Sequence, residues 1–215
     1  MNDKVPDREA GMRPALCVFC GSNHGNDPAY ADLARRFGAL MAKNGFDLVF
    51  GGGGVGLMGE VANAVHESGA RVTGIIPEFL RHVELPLKIA NELIVTHDMA
   101  ERKFRMSAAA DAFVVLPGGL GTIDELADVL TGAQLRQHAK PIVLINLNGF
   151  FDPFFELIEH IVAHGFAAPD VKKILHVVAT PEEAIALLRE SLLPAATADG
   201  APAPPTAARA TRNQT

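Results

Sequence analysis

Cysteines, basic clusters and long apolar runs are scarce in this sequence, and each absence argues against a class of protein. Two cysteines in 215 residues do not make a disulfide framework. The net charge is −6 and Lys and Arg do not cluster, which argues against a nucleic-acid surface. No apolar run reaches the length of a membrane span, and residues 1–10 lack the apolar centre of a signal peptide. We therefore expect a cytoplasmic protein without a nucleic-acid or membrane partner.

Metal and redox motifs are also weak here. Cys17 and Cys20 have the spacing of a redox pair, but both lie in an apolar run that predicts a strand. Residues three apart in a strand point to opposite faces, so we expect two core thiols and no disulfide. His160 and His164 share a helix face but lack a metalloprotease glutamate, which favours partners of a helix C-terminus over zinc ligands. No metal or cofactor is expected.

Short apolar runs alternate with amphipathic helical segments along residues 15–193. Seven of these runs predict buried strands, at residues 15–20, 46–50, 71–76, 92–95, 112–116, 141–145 and 175–178. Strands that alternate with helices imply right-handed crossovers and a parallel sheet covered on both faces. The predicted fold class is therefore α/β, a single-domain Rossmann-like doubly wound sheet. Residues 1–14 are predicted to be a flexible tail, and the Ala/Pro-rich residues 194–215 a disordered tail, both outside this domain.

A glycine-rich motif, Pro-Gly-Gly-Leu-Gly-Thr-Ile-Asp-Glu at residues 117–125, directly follows the fifth predicted strand. Its glycines allow positive φ and leave no Cβ between the backbone and a ligand. These glycines are Gly118, Gly119 and Gly121. A glycine loop that opens a helix directs unpaired N–H groups and the helix dipole at one point, which suits phosphate. The alternative is a capping box, in which Thr122 and Glu125 satisfy two of those N–H groups.

A second glycine-rich stretch, residues 51–59, follows the second predicted strand, and Ser22 follows the first. Ligands of such sheets bind at the carboxyl ends of the strands, so we expect Ser22 and Gly52 to contact a substrate there. Residues 54–59 also fit the dinucleotide fingerprint, with Glu78 at about the distance of a ribose-binding acid. A single match of this kind is weak, and a dinucleotide-dependent oxidoreductase remains an alternative.

Arg102 and Lys103 lie near the start of a predicted helix, where a positive charge opposes the helix dipole. Residues placed against a local preference are candidates for function. Together with Glu125 they supply two cations and one carboxylate beside the expected phosphate site. This grouping favours an enzyme that acts on a phosphorylated sugar over a passive binding protein.

Four stretches of the chain resemble the Lonely Guy (LOG) family of cytokinin riboside 5′-monophosphate phosphoribohydrolases; they are residues 19–22, 51–59, 99–103 and 117–125. The resemblance runs from about residue 15 to residue 193, and its most specific parts are Met-x-x-Arg-Lys and Pro-Gly-Gly-x-Gly-Thr-x-x-Glu. It implies hydrolysis of an N6-modified adenosine monophosphate to the free base and ribose 5-phosphate. It also implies a homodimer with sites near the interface.

The resemblance makes Arg102 and Glu125 the catalytic pair. It assigns nucleotide contacts to a wider set, namely Glu84, Lys103, Gly118, Gly119, Gly121, Thr122 and Thr131. Two positions depart from the family pattern and concern the base pocket: Glu78 stands where many members carry Lys, and Gly132 where plant members carry Trp.

The chemistry of the reaction agrees with this pair. Cleavage of an N-glycosidic bond builds positive charge on the ribose, which a carboxylate such as Glu125 stabilises. Glu125 could also take a proton from the attacking water. Arg102 could hold the phosphate or steady the leaving base, and the sequence leaves both roles open. A nucleotide-binding module of the same fold without turnover is a second alternative, but it gives no reason for grouping Arg102, Lys103 and Glu125.

Overall fold

The computed structural model describes residues 12–81 and 89–193, which contain a parallel sheet of seven strands. The strands are β1 (Ala15–Phe19), β2 (Asp47–Phe50), β3 (Val72–Pro77), β4 (Glu92–Thr96), β5 (Ala112–Val115), β6 (Ile142–Ile145) and β7 (Leu175–Val178). Their order across the sheet is β4-β3-β2-β1-β5-β6-β7, and every neighbouring pair is parallel. The predicted fold class is confirmed.

Six α-helices cover both faces of the sheet in the described residues. They are α1 (Pro28–Lys43), α2 (Gly56–Glu67), α3 (Met99–Ala109), α4 (Leu120–Gln134), α5 (Asp152–Ala163) and α6 (Pro181–Leu192). One core layer joins α1, α2 and α6 to the sheet, and the other joins α3, α4 and α5. Alternate residues of β1 enter different layers: Leu16 and Val18 pack in the first, Cys17 and Phe19 in the second. This alternation is what two-sided coverage of a parallel strand requires.

Cys17 and Cys20 are both buried and unpaired, and they enter opposite core layers. The prediction of core thiols is confirmed. Burial raises the pKa of both thiols well above the ordinary value, with the nearby Glu125 carboxylate adding to the effect. Neither thiol is therefore a thiolate nucleophile at neutral pH.

Three of the six helix starts carry a side-chain cap. Asp27 caps α1, Asp98 caps α3, and Thr180 forms a capping box with Glu183 at α6. Helices α2 and α4 differ, because they begin at glycine-rich loops and no side chain caps their first turn. The first N–H groups of these two helices have no capping side chain as acceptor, so other acceptors at the carboxyl edge of the sheet can bind them.

The chain leaves β1 toward β2 on one side and reaches β5 on the other, so the order of strands reverses at β1. A crevice at such a reversal is where doubly wound sheets bind ligands. The loops after β1, β2 and β5 meet there: the Gly21 amide donates to the Pro117 carbonyl at 3.0 Å, and the Met58 amide donates to the Gly21 carbonyl at 3.3 Å. The fold therefore brings both glycine-rich loops to one point.

No helix among the described residues has the length and apolarity that crossing a membrane demands. The predicted tails, residues 1–14 and 194–215, lie almost entirely outside the described residues, so that division of the chain stays a prediction.

Candidate active site

Arg102 and Glu125 form a buried ion pair at the carboxyl edge of the sheet. The Arg102 Nη2 and Glu125 Oε1 atoms are 3.4 Å apart, and the two residues are 6% and 8% exposed. Within the described part of the chain, the buried polar or charged residues are Thr96, Arg102, Thr122 and Glu125. Three of these four are predicted site residues. Burying a charge is costly unless it is paired, so a buried pair beside a ligand crevice indicates a functional site.

Helix α3 and the loop after β2 hold the Arg102 guanidinium in place. Arg102 is the fourth residue of α3, and its Nε donates to the carbonyl of Ile75 in β3 at 3.3 Å. Its Nη1 lies 3.6 Å from the Met99 sulfur. A Cβ built on Gly51 would overlap the guanidinium, so only glycine leaves room for Arg102 there. Gly52 is the residue of this loop that the sequence predicted to contact the substrate; Gly51 was not predicted, although the run of four glycines after β2 signals a close approach.

Glu125 is the sixth residue of α4, and its side chain faces a small crevice between α3 and α4. The crevice is lined by Phe19, Lys103, Met106, Glu125, Asp128 and Val129. Three of these side chains are apolar and three are charged. Such a mixed surface suits a ligand with an apolar portion and a polar portion.

The loop from Pro117 to Gly121 presents its backbone rather than its side chains. A Cβ built on Gly119 or Gly121 would meet nothing within 4 Å, so space is open above both residues. Gly118 differs, because a Cβ there would overlap the side chain of Thr122. Positive φ is not used: Gly119 has φ −95°, and none of these three glycines has a positive value. The loop therefore does not use the conformational freedom of glycine, but Gly119 and Gly121 leave the backbone open as expected.

The capping-box alternative for Thr122 and Glu125 is wrong. Gly119 is the N-cap of α4, so Thr122 is already the third helical residue, and no side chain caps this helix. Thr122 is buried against Gly118 instead. The first turn of α4 therefore keeps backbone donors that a phosphate oxygen could accept from.

Positive φ occurs in the other glycine-rich loop. Gly52 has φ 80° and Gly56 has φ 63°, and a Cβ on Gly56 would overlap the backbone of Ser22. Ser22 is exposed and lies over the start of α2. The structure thus places Ser22 at the meeting point of the loops, while Gly52 is buried against Ile76 and Leu93.

Lys103 lies beside the pair but contacts different partners. Its Nζ is 3.2 Å from Asp124 Oδ1 and 3.4 Å from Asp128 Oδ1, both on α4. Partial burial lowers the pKa of Lys103, but the two aspartates together outweigh it and raise the pKa above its ordinary value. Lys103 is therefore charged at every pH at which the protein would be assayed.

One predicted contact, Thr131, is not brought to the pair. Thr131 is exposed, at a helical spacing that puts it on the face of Asp124 and Asp128 rather than that of Glu125. Glu84 lies outside the described residues. Glu78, the acid weighed for a dinucleotide ribose, pairs with Arg81 at 2.9 Å in a short turn after β3.

The described residues contain no group of three or more His, Cys, Asp or Glu side chains that could hold a metal ion. His160 and His164 stack with ring centroids 4.1 Å apart, and the Nδ1 of His164 lies 2.9 Å from the carbonyl of His160. These histidines lie at the end of α5, where the sequence predicted partners of a helix C-terminus.

Comparison with known proteins identifies relatives and a shared fold. The family model described as "Possible lysine decarboxylase" matches residues 58–188. The chain is 43% identical over 175 residues to the cytokinin riboside 5′-monophosphate phosphoribohydrolase LOG of Oryza sativa subsp. japonica, covering 81% of this chain and 72% of that protein. It is 41% identical over 175 residues to LOG3 of Arabidopsis thaliana, covering 81% of each.

Among solved structures, the molybdenum cofactor binding protein of Rippkaea orientalis matches with a TM-score of 0.67 and 22% identity. The match covers 85% of this chain and 99% of that protein. At this identity the likeness shows a common fold and carries no information about the ligand.

Proposed function

The chain belongs to the Lonely Guy family of cytokinin riboside 5′-monophosphate phosphoribohydrolases, and we propose that it hydrolyses the N-glycosidic bond of N6-modified adenosine 5′-monophosphates. The products are the free base, a cytokinin or adenine, and ribose 5-phosphate. The observation that carries the proposal is the buried Arg102–Glu125 pair, which lies beside an uncapped helix start at the ligand edge of the sheet.

Glu125 acts at the sugar in this proposal. The C1′–N9 bond breaks with its electron pair leaving on the base, positive charge builds on the ribose, and water forms the new bond to C1′. The base takes up one proton, which balances the proton that the water loses. The carboxylate stabilises the charged ribosyl group and accepts the proton of the attacking water. Burial strengthens such an electrostatic contribution, because little water screens it.

Arg102 supports the same centre. Arginine keeps its charge at every relevant pH, and the guanidinium contacts the Glu125 carboxylate and the Ile75 carbonyl. These contacts favour a role at the reacting bond, in orienting Glu125 and steadying the departing base, over a role at the phosphate. The close fit of Gly51 supports one fixed position for the guanidinium.

The 5′-phosphate binds at the start of α4 in this proposal. Open space above Gly119 and Gly121, together with unpaired donors of the first helical turn, offers an anion site that needs no side-chain cation. Thr122 adds a hydroxyl group beside Gly118, and we propose that the Ser22 hydroxyl contributes at the same edge. Binding the phosphate positions the ribose for cleavage, so remote binding energy contributes to the rate.

A homodimer and a cytoplasmic location complete the proposal. Phe104, Leu120 and Leu135 are 61%, 89% and 64% exposed on α3, on α4 and just after α4. Contiguous apolar patches often mark a protein interface, and we propose that these three side chains belong to one. Sedimentation velocity tests the dimer. The two free cysteines agree with a reducing compartment.

The experiment that tests the function is incubation of the protein with AMP and with isopentenyladenosine 5′-monophosphate, followed by chromatography for free base and ribose 5-phosphate. We expect release of base from at least one nucleotide and far slower release from adenosine, which lacks the phosphate. Nucleotide binding without any release of base would contradict the proposal and leave a binding module.

A further inference from the structure

Lys103 follows Arg102 on α3, and Asp124 precedes Glu125 on α4, so neighbouring residues form two bridges between the same two helices. The inner bridge is the buried pair of Arg102 and Glu125. The outer bridge joins Lys103 Nζ to Asp124 Oδ1 at 3.2 Å and to Asp128 Oδ1 at 3.4 Å. The two bridges are therefore linked through the backbone of each helix.

Helices α3 and α4 pack mainly on the sheet rather than on each other. Helix α3 lies against β1, β2, β3 and β4, and α4 lies against β1 and β5. Bridges between their side chains therefore help to define how far apart Arg102 and Glu125 sit. Reacting groups tolerate little displacement, since a shift of about 1 Å can cost about 100-fold in rate.

The charges of the outer bridge also affect the site. Asp124, Glu125 and Asp128 place three carboxylates on one stretch of α4 next to the crevice. Lys103 lines that crevice and offsets the two aspartates. Without this cation, Asp124 and Asp128 would repel each other and Glu125, which favours outward movement of the second turn of α4.

We propose that Lys103 is a positioning residue, which holds α4 through Asp124 and Asp128 so that Glu125 meets Arg102, rather than a ligand of the nucleotide. This inference rests on the proposed hydrolysis. It replaces the nucleotide contact that the family resemblance implies for Lys103.

A double-mutant cycle distinguishes positioning of α4 by Lys103 from direct binding of the nucleotide by Lys103. Lys103→Met is measured in the parent chain and in the Asp124→Asn/Asp128→Asn chain, with steady-state kinetics on the better nucleotide substrate. We expect Lys103→Met to lower kcat about 10-fold in the parent with little change in KM, and to have an effect of about 2-fold or less in the double-Asn chain. Lys103→Arg should recover most of kcat, because it retains the charge.

Two controls accompany the cycle. Arg105→Met removes a cation of α3 that pairs with Glu101 on the same helix, and it should leave kcat and KM unchanged. The melting temperature of Lys103→Met should stay near that of the parent, because partly exposed ion pairs contribute little to stability. A change in kcat without a change in melting temperature separates positioning from folding.

Losses of equal size in the two backgrounds, in kcat or in KM, would overturn the inference, and so would a Lys103→Met variant with parental kinetics. The parent chain is measured first. If the parent releases no base, the proposed function is wrong and this inference falls with it. If the parent is active and the cycle shows no coupling, only the inference is wrong.

Discussion

The two glycine-rich loops at the carboxyl edge have similar compositions but use their glycines differently. In the loop after β2, glycines face the protein: Gly51 leaves room for Arg102, and Gly56 lies against the backbone of Ser22. In the loop after β5, Gly119 and Gly121 face open space. A missing Cβ thus admits a catalytic side chain in one loop and, we propose, a substrate phosphate in the other.

Gly118 shows that position within a loop matters more than membership of a motif. It belongs to the second loop, yet its missing Cβ makes room for Thr122 and for the Gly21 amide, as in the first loop. Alanine should therefore have a different effect at each position. It should displace Arg102 at Gly51, weaken substrate binding at Gly121 and lower stability at Gly118.

Among the glycine substitutions, the largest effect on kcat is expected for Gly51→Ala. The new Cβ would displace the end of the flexible Arg102 side chain, so the fold should persist while the Arg102–Glu125 pair separates. We expect kcat to fall about 100-fold, because displacement of a reacting group by about 1 Å has this effect. Steady-state kinetics and a melting curve check both parts.

Gly118→Ala is the matched control for that variant. Its Cβ would meet the backbone of Gly21, which cannot move as easily as a side chain, so this variant should lose stability. If Gly51→Ala also lost several degrees of melting temperature and kept its kcat, the loop after β2 would have a purely structural role.

A smaller effect is expected for Gly121→Ala. The space above Gly121 is open and alanine is a better helix former, so the melting temperature should stay constant or rise. If the phosphate occupies that space, KM for AMP should rise about 10-fold, which corresponds to about 1.4 kcal/mol. The same substitution should leave turnover of adenosine unchanged, because adenosine has no phosphate. An unchanged KM for AMP would contradict the proposed phosphate site.

The fold could be predicted because its signals are local. Apolar runs mark the strands, and side chains such as Asp27, Asp98 and Thr180 mark the helix starts, so each predicted strand agrees with the structure to within about one residue. Parallel strands then bring Arg102 and Glu125 to the same edge. Their positions in the sequence were therefore enough to predict that these two residues lie at one site.

The details of the site depend on tertiary contacts that no local pattern encodes. The contact of Gly51 with Arg102 joins the loop after β2 to a helix that follows β4, and Lys103 pairs with aspartates 21 and 25 residues later. Thr122 has the spacing of a capping residue, but its burial against Gly118 places the helix start at Gly119. Spacing predicted a cap where packing produced an open helix start.

The smallest effect concerns His138. Its ring packs against Gly132, where a Cβ would lie 3.2 Å from the ring atoms. Burial lowers the pKa of His138 below its ordinary 6.5, with Lys140 adding to this, despite the contact with the Val129 carbonyl. The unfolded chain then takes up this proton at a higher pH than the folded chain. Stability that is present above about pH 6.5 is therefore lost as the pH falls through the folded pKa.

We expect His138→Gln to lose less melting temperature than the parent between pH 7 and pH 5, a window that contains the ordinary pKa of 6.5 and extends below it. Thermal melts at several pH values measure the difference. His176→Gln, an exposed substitution on β7, serves as the control. Parallel curves for the parent and His138→Gln would show that His138 makes no contribution to the acid sensitivity.

The most direct test of the proposed hydrolysis is single-turnover cleavage of AMP by Glu125→Gln, with binding measured separately by calorimetry. Glutamine preserves the shape of the side chain but not the charge, so the variant should fold and bind AMP within a few-fold of the parent. Its rate of base release should fall about 10²–10³-fold, as for other groups that stabilise transition-state charge. Glu190→Gln, on the opposite layer, should keep the parental rate. A folded Glu125→Gln protein that releases base at the parental rate would contradict the account.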